Sequence, residues 1–200
     1  MDFRDKAPTK EKILRTAALM FSQSGYNRVT MREIAKAVNI NSASIYHHFS
    51  SKAEILKSLY AFYAEARLKT NPDLDELLRI AETDPPFEVL MKTEYHFNED
   101  VREMLDQIVV TAAREINADP ESESFMRENI FDNITNILRP LLLRMVELGK
   151  IKPFNIENFV KVLSYYCFGA AALNNSNFKQ SVSEYEAGMS LLFSVIIPAE

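Results

Sequence analysis

Cysteine occurs once, at Cys167, so no disulfide can form within one chain and a buried thiol in a reducing compartment is the simplest reading. No run of 18 uninterrupted apolar residues is present, so no membrane-spanning helix is expected. The amino terminus carries no hydrophobic leader ahead of its first amphipathic stretch, and a cytoplasmic protein is expected. Histidine is scarce, and the adjacent pair His47 and His48 points in two directions on a helix with no cysteine nearby to complete a metal set. No metal and no cofactor are expected. Sustained period-2 alternation, a heptad series and internal repeats are all missing, which leaves an all-alpha chain of 200 residues with 47% hydrophobic content.

Charge is present but unevenly placed. Residues 1–60 hold ten Lys/Arg against five Asp/Glu, whereas the rest of the chain holds thirteen against twenty-three. The first quarter, at +5, can meet phosphate; the remainder, at -10, is repelled by it. We therefore expect two parts, 1–55 and 56–200, with the boundary early in a long fourth helix.

Helical spacing of Ile13, Leu14, Ala17, Ala18 and Phe21 predicts a first helix at about 10–23, with Thr9 as N-cap and Gly25 as C-cap. Thr30 and Glu33 have capping-box spacing and open a second helix that ends near Val38, where Asn39 can turn the chain. Asn41 is placed to cap a third short helix at about 42–48, and Ser51 with Glu54 forms a second capping box opening the fourth. Further helices are expected at about 87–95, 98–117, 120–148, 155–174 and 182–197, with a short one between Pro72 and Pro85. Asp119 and Pro120 mark one start, and Pro140 kinks or divides that helix.

Two short helices joined by a tight turn can project the second into a duplex groove. Asn41, Ser42 and Ser44 supply hydrogen-bonding groups, the Ala43 methyl can meet thymine, and Tyr46, His47 and His48 can reach phosphates or base edges. Lys52 brings an ammonium group, and Arg32 is a further candidate contact. Capped pairs of this kind also occur in unrelated helical proteins, so spacing alone leaves the alternatives open.

The stretch ILRTAALMFSQSGYNRVTMREIAKAVNINSASIYHHFSSKAEIL, from Ile13 to Leu56, resembles the DNA-binding domain of the tetracycline-repressor (TetR) family. Ala17, Phe21, Gly25, Tyr26, Thr30, Ile34, Ala35, Ile45, Tyr46, Phe49, Lys52 and Leu56 carry that resemblance. It implies an amino-terminal three-helix helix-turn-helix domain joined to a larger helical domain for effector binding and dimerisation. It also implies a homodimer on a palindromic double-stranded operator, released by a small molecule. Thr30, Ser42, Ser44, Tyr46, His47 and Lys52 become contacts by position, while Asn39 and Ala43 stand where the family often has glycine. Arg4, Lys6, Lys10 and Lys12 are expected to follow the DNA backbone.

For the effector, expected to be largely hydrophobic, the polar candidates are Tyr95, His96 and Gln107, with Met91 and Met104 as adaptable walls. For the dimer, one apolar surface is Phe159, Val160, Leu163, Tyr166, Cys167 and Ala170, and another is Tyr185, Met189, Leu192, Phe193 and Ile196, with Gly169 permitting close approach. Within-chain packing competes with that use of these faces. Two other readings remain: a helical enzyme using His96, Asp100 and Glu103 for acid-base chemistry, and an interaction protein whose basic head meets an acidic partner.

Overall fold

The computed structural model describes residues 8–70, 73–93, 99–173 and 178–197, with the backbone alone at 99, 171–173 and 178–186. The described residues are all-alpha, and no helix among them is long and apolar enough to cross a membrane. The chain divides into two compact units. One comprises Met1–Ala66 with Asn98–Phe125, the other Arg67–Phe97 with Met126–Glu200.

In the first unit, α1 (Thr9–Ser24) buries Ile13, Ala17, Ala18 and Phe21 on one stripe. Its start differs from expectation: Pro8 occupies the cap position without a side-chain bond, and Thr9 is already helical. At the other end Gly25, at φ 85°, donates its N–H to Phe21 O at 2.9 Å, a conformation costly for any residue with a Cβ. A single 3-10 turn (Tyr26–Arg28) leads to α2 (Met31–Ala37). There the capping box forms as expected: Glu33 N–H donates to Thr30 Oγ1 at 3.2 Å, and Thr30 N–H donates to Glu33 Oε2 at 2.8 Å.

Asn39 follows at φ 57°. Ile40 N–H reaches Ala35 O and Asn39 N–H reaches Lys36 O, so the last carbonyls of α2 are satisfied in a Schellman arrangement. Next comes a four-residue 3-10 helix (Ser44–His47), then α3 (Lys52–Thr70). The second capping box is only half made. Glu54 N–H donates to Ser51 Oγ, but the Glu54 carboxylate accepts from the N–H and hydroxyl of Ser50.

Helix α6 (Glu99–Glu115) packs along α1. At the start of α7 (Pro120–Met126), Asp119 accepts from Ser122 N–H at 2.9 Å and from its hydroxyl at 2.6 Å, and the Ser122 hydroxyl meets Tyr60 at 2.7 Å. Phe125 stacks on Tyr60 and meets Tyr63 edge-on.

The second unit holds α4 (Leu74–Ile80), α5 (Pro86–Met91), α8 (Asp132–Glu147), α9 (Ile156–Leu173) and α10 (Phe178–Ile196) around Leu90, Leu138, Leu141, Leu142, Leu163 and Phe193. Full burial of each such side chain contributes about 1.5–3 kcal/mol. The helix expected at 120–148 is interrupted at a π-helical turn (Arg127–Phe131), whereas α8 passes through Pro140. The missing N–H of Pro140 is tolerated because Ile137, Leu138, Leu141 and Leu142 on either side of it are buried. Close approach of α9 and α10 falls at Gly188, where an added Cβ would overlap the Tyr166 ring; at Gly169 it would meet nothing within 4 Å.

Because Thr30 holds both partners of the capping box, Thr30→Ala should cost about 1 kcal/mol of folding stability while Thr30→Ser retains most of it, read by thermal denaturation.

Candidate nucleic-acid interface

The segment after Asn39 is shaped by one side chain. Asn41 Oδ1 accepts the Ala43 N–H at 2.8 Å while its carbonyl accepts the Ser44 N–H at 2.8 Å, so the asparagine closes a local turn. The α-helix expected at 42–48 is thereby shortened to the 3-10 helix. So few residues, two of them serines, supply too little helix-forming free energy of their own, and the geometry is set by packing. Ile45 and Phe49 provide it, both almost wholly buried, with Lys10 Nζ 5.2 Å from the Phe49 ring centre. What remains outside is polar apart from one methyl: Asn41, Ser42, Ala43, Tyr46 and His47 are exposed, and Ser44 and His48 are half-buried.

The remaining DNA-contact candidates divide. Arg32 is exposed on α2. Thr30 is exposed but its hydroxyl donates to Glu33 Oε2 at 2.8 Å, so its first task is the cap. Lys52 is half-buried, and its ammonium donates to Tyr26 O at 2.7 Å and Val29 O at 2.9 Å, with the Tyr26 ring centre 4.2 Å away. Burial pushes its pKa down; Glu115 and Glu33 oppose that shift. Burial likewise pushes the Tyr26 phenol up, aided by Asp119, Glu115 and Glu121.

Sequence reasoning missed a second brace on the same connector. Asn27 Nδ2 donates to Glu115 Oε2 at 3.3 Å, and the Arg114 guanidinium donates to Ser22 O. No local pattern announces it, because the partners are about ninety residues apart.

Tyr95 and His96 lie outside the described residues. Met91 is half-buried and packs on the core of the second unit, whereas Met104 and Gln107 belong to the first, Met104 buried and Gln107 donating to Glu103 Oε1 at 3.3 Å. The enzyme alternative has its histidine outside the described residues and Glu103 exposed. Among the described residues no group of three His, Cys, Asp or Glu side chains could hold a metal ion. An acidic group unforeseen from sequence is Asp106: half-buried on α6, its carboxyl is pushed up to about 6, chiefly by burial, against the lowering effect of Arg102.

Of the residues expected at a dimer interface, Val160, Leu163, Met189, Phe193 and Ile196 are buried in the core of their own chain. Phe159, Tyr166, Cys167 and Leu192 are partly buried against that core, Ala170 is half-buried, and the Tyr185 side chain lies outside the described residues. The apolar residues left outside are others: Val162, Tyr165, Leu191 and Val195, between 52% and 76% exposed.

Residues 13–59 match the family model of bacterial regulatory proteins of the tetR family. These residues carry the amino-terminal domain of that family. It is 35% identical over 65 residues to the probable HTH-type transcriptional regulator YttP of Bacillus subtilis (strain 168), across 32% of this chain and 31% of that one. It is 50% identical over 46 residues to the biofilm operon icaADBC HTH-type negative transcriptional regulator IcaR of Staphylococcus aureus (strain Newman), across 23% and 25%. The chain thus spans about a third and a quarter of the length of these curated relatives. Its fold extends further than the sequence likeness. The ketosteroid transcriptional regulator KstR2 of Mycobacterium tuberculosis superposes with a TM-score of 0.66 at 19% identity, covering 96% of each chain. The TetR family regulator PfmR of Thermus thermophilus does so with 0.61 at 22% identity, covering 90% of this chain and 96% of that one.

The raised carboxyl of Asp106 makes folding stability depend on pH. Its folded form holds the proton above the unfolded value of about 3.9, so this contribution to stability is full below that value and is lost as pH rises to about 6. Asp106→Asn should therefore raise the thermal midpoint at pH 8, with a gain that shrinks toward pH 4.

Proposed function

We propose that this chain is a ligand-responsive transcriptional regulator, a repressor, that binds a palindromic operator as a homodimer and is released by a small molecule. The observation that carries this reading is the split of residues 41–49: Ile45 and Phe49 anchor the element, and Ser42, Tyr46 and His47 face outward. Anchored apolar residues fix orientation, and exposed polar ones can read base edges. The family match over residues 13–59 covers this whole element. The negative regulation in the name of the IcaR relative supports the repressor sense. An effector is supported by the fold shared with a ketosteroid regulator and, at a TM-score of 0.61, with a putative transcriptional regulator from Saccharomonospora viridis in complex with choline.

A second copy is best accommodated by the apolar residues that the chain leaves uncovered on α9 and α10. Val162 and Val195 also line an open groove of about 640 Å³ with Phe154, Phe159, Leu192 and Ile197. A two-fold contact there would cover both features at once.

Two sets of variants test the reading. Ser42→Ala and His47→Ala should reorder affinities among operator variants, each by about 1–3 kcal/mol at the base pair read, in fluorescence titrations. Reordering by neither variant would count against the reading surface. Val162→Asp should shift the sedimenting species from dimer to monomer with helicity retained, and should weaken binding to the palindrome more than to a half-site.

A further inference from the structure

We propose that Lys52 is a positioning residue for the DNA-reading element and not a phosphate ligand. The inference rests on the DNA-binding reading above and revises the role that resemblance gives this lysine. Two of the three ammonium N–H groups are held by the carbonyls of Tyr26 and Val29, at 2.7 and 2.9 Å, and the face of the Tyr26 ring stands 4.2 Å from the nitrogen. Charge-assisted bonds of this kind are about twice as strong as neutral ones, and the aromatic face adds a further attraction. Turning the ammonium outward to a phosphate would break both bonds, leaving the Tyr26 carbonyl only the Val29 N–H at 3.3 Å and taking the lysine donor from the Val29 carbonyl.

The position of these carbonyls gives the contact its consequence. They flank the 3-10 turn that delivers the chain to Thr30 and α2, while Lys52 is the first residue of α3. The reading element, Ser44–His47, lies in the chain between α2 and α3. One side chain therefore ties the entry of α2 to the start of α3 and brackets the whole stretch 30–51, α2 included, that carries Ser42, Tyr46 and His47. The Tyr26 ring is itself held edge-on by Phe21, 5.1 Å between centres, so the seat of the ammonium is part of the small core.

The test uses the full chain, a duplex recovered by selection and a scrambled duplex of the same length, titrated at several salt concentrations where circular dichroism shows the protein folded. In Lys52→Met the ratio of affinities, selected over scrambled, should fall about tenfold, the size of one lost base readout. The slope of log affinity against log salt on the scrambled duplex should stay unchanged. Equal weakening on both duplexes, with the slope reduced by about 0.9, would identify a phosphate ligand and overturn the proposal. A lowered thermal midpoint with an unchanged ratio would also overturn it, because that is a purely structural role. If Lys52→Met does not fold, Tyr26→Leu, which removes the ring and leaves the carbonyls, should move the ratio in the same direction by a smaller factor, and an unchanged ratio there would sink the proposal. A wild-type chain with no duplex preference removes the DNA-binding reading first, and this proposal with it.

Discussion

The ammonium of Lys52, seated between two carbonyls and a tyrosine ring, closes the small helical domain around the connector that leads from α1 to α2. The same connector is held from α6, where Glu115 takes the Asn27 amide and Arg114 reaches the last turn of α1. Both braces act on, or at the α1 edge of, residues 25–30, whose only regular structure is one 3-10 turn. The pose of everything downstream, the capping box of α2, the left-handed Asn39 and the exposed serines, is measured from it. Helix α6 also carries Met104 and Gln107, so one element joins the anchor of the connector to two of the residues considered for an effector. A displacement of α6 that strained Arg114 and Glu115 would be felt at the connector, which is the kind of differential contact that coupling between sites requires.

Charge placement agrees with this division of labour. The amino-terminal excess of positive charge is local, and two of the acids within it, Glu33 and Glu54, are engaged by backbone and hydroxyl groups of Thr30 and Ser50. Those bonds hold both carboxyls below the usual range. They stay ionised and tied to helix starts, where a negative charge also complements the helix dipole. Lys10, Arg28, Arg32 and Lys36 are among the exposed cations of this domain.

What can be read from sequence is what short-range rules decide. Thr30 with Glu33, Gly25, Asn39, and Asp119 with Pro120 each act within a few residues, and each does what its spacing says. Where two local rules compete, the reading fails: Asn41 has the spacing of an α-helical cap, but its Asx turn leaves room only for a 3-10 helix. The Glu54 carboxylate likewise turns to Ser50 in place of Ser51. The inward turn of Lys52 is illegible because its acceptors are backbone carbonyls more than twenty residues away, which no pattern of side chains encodes. In α9 and α10 apolar residues run round most of the helix, so periodicity does not say which face the chain itself buries. Val160 and Leu163, which spacing puts on one surface and offers to a partner, go inside the chain's own core, and Val162 and Tyr165 are left outside.

The central claim is that residues 41–48 choose among DNA sequences. Repeated selection of the full-length protein's binding sites from a pool of randomised duplexes tests it most directly. The account predicts convergence on an inverted repeat whose half-sites are related by the two-fold of a dimer. A folded, dimeric protein that enriched no reproducible sequence would contradict it.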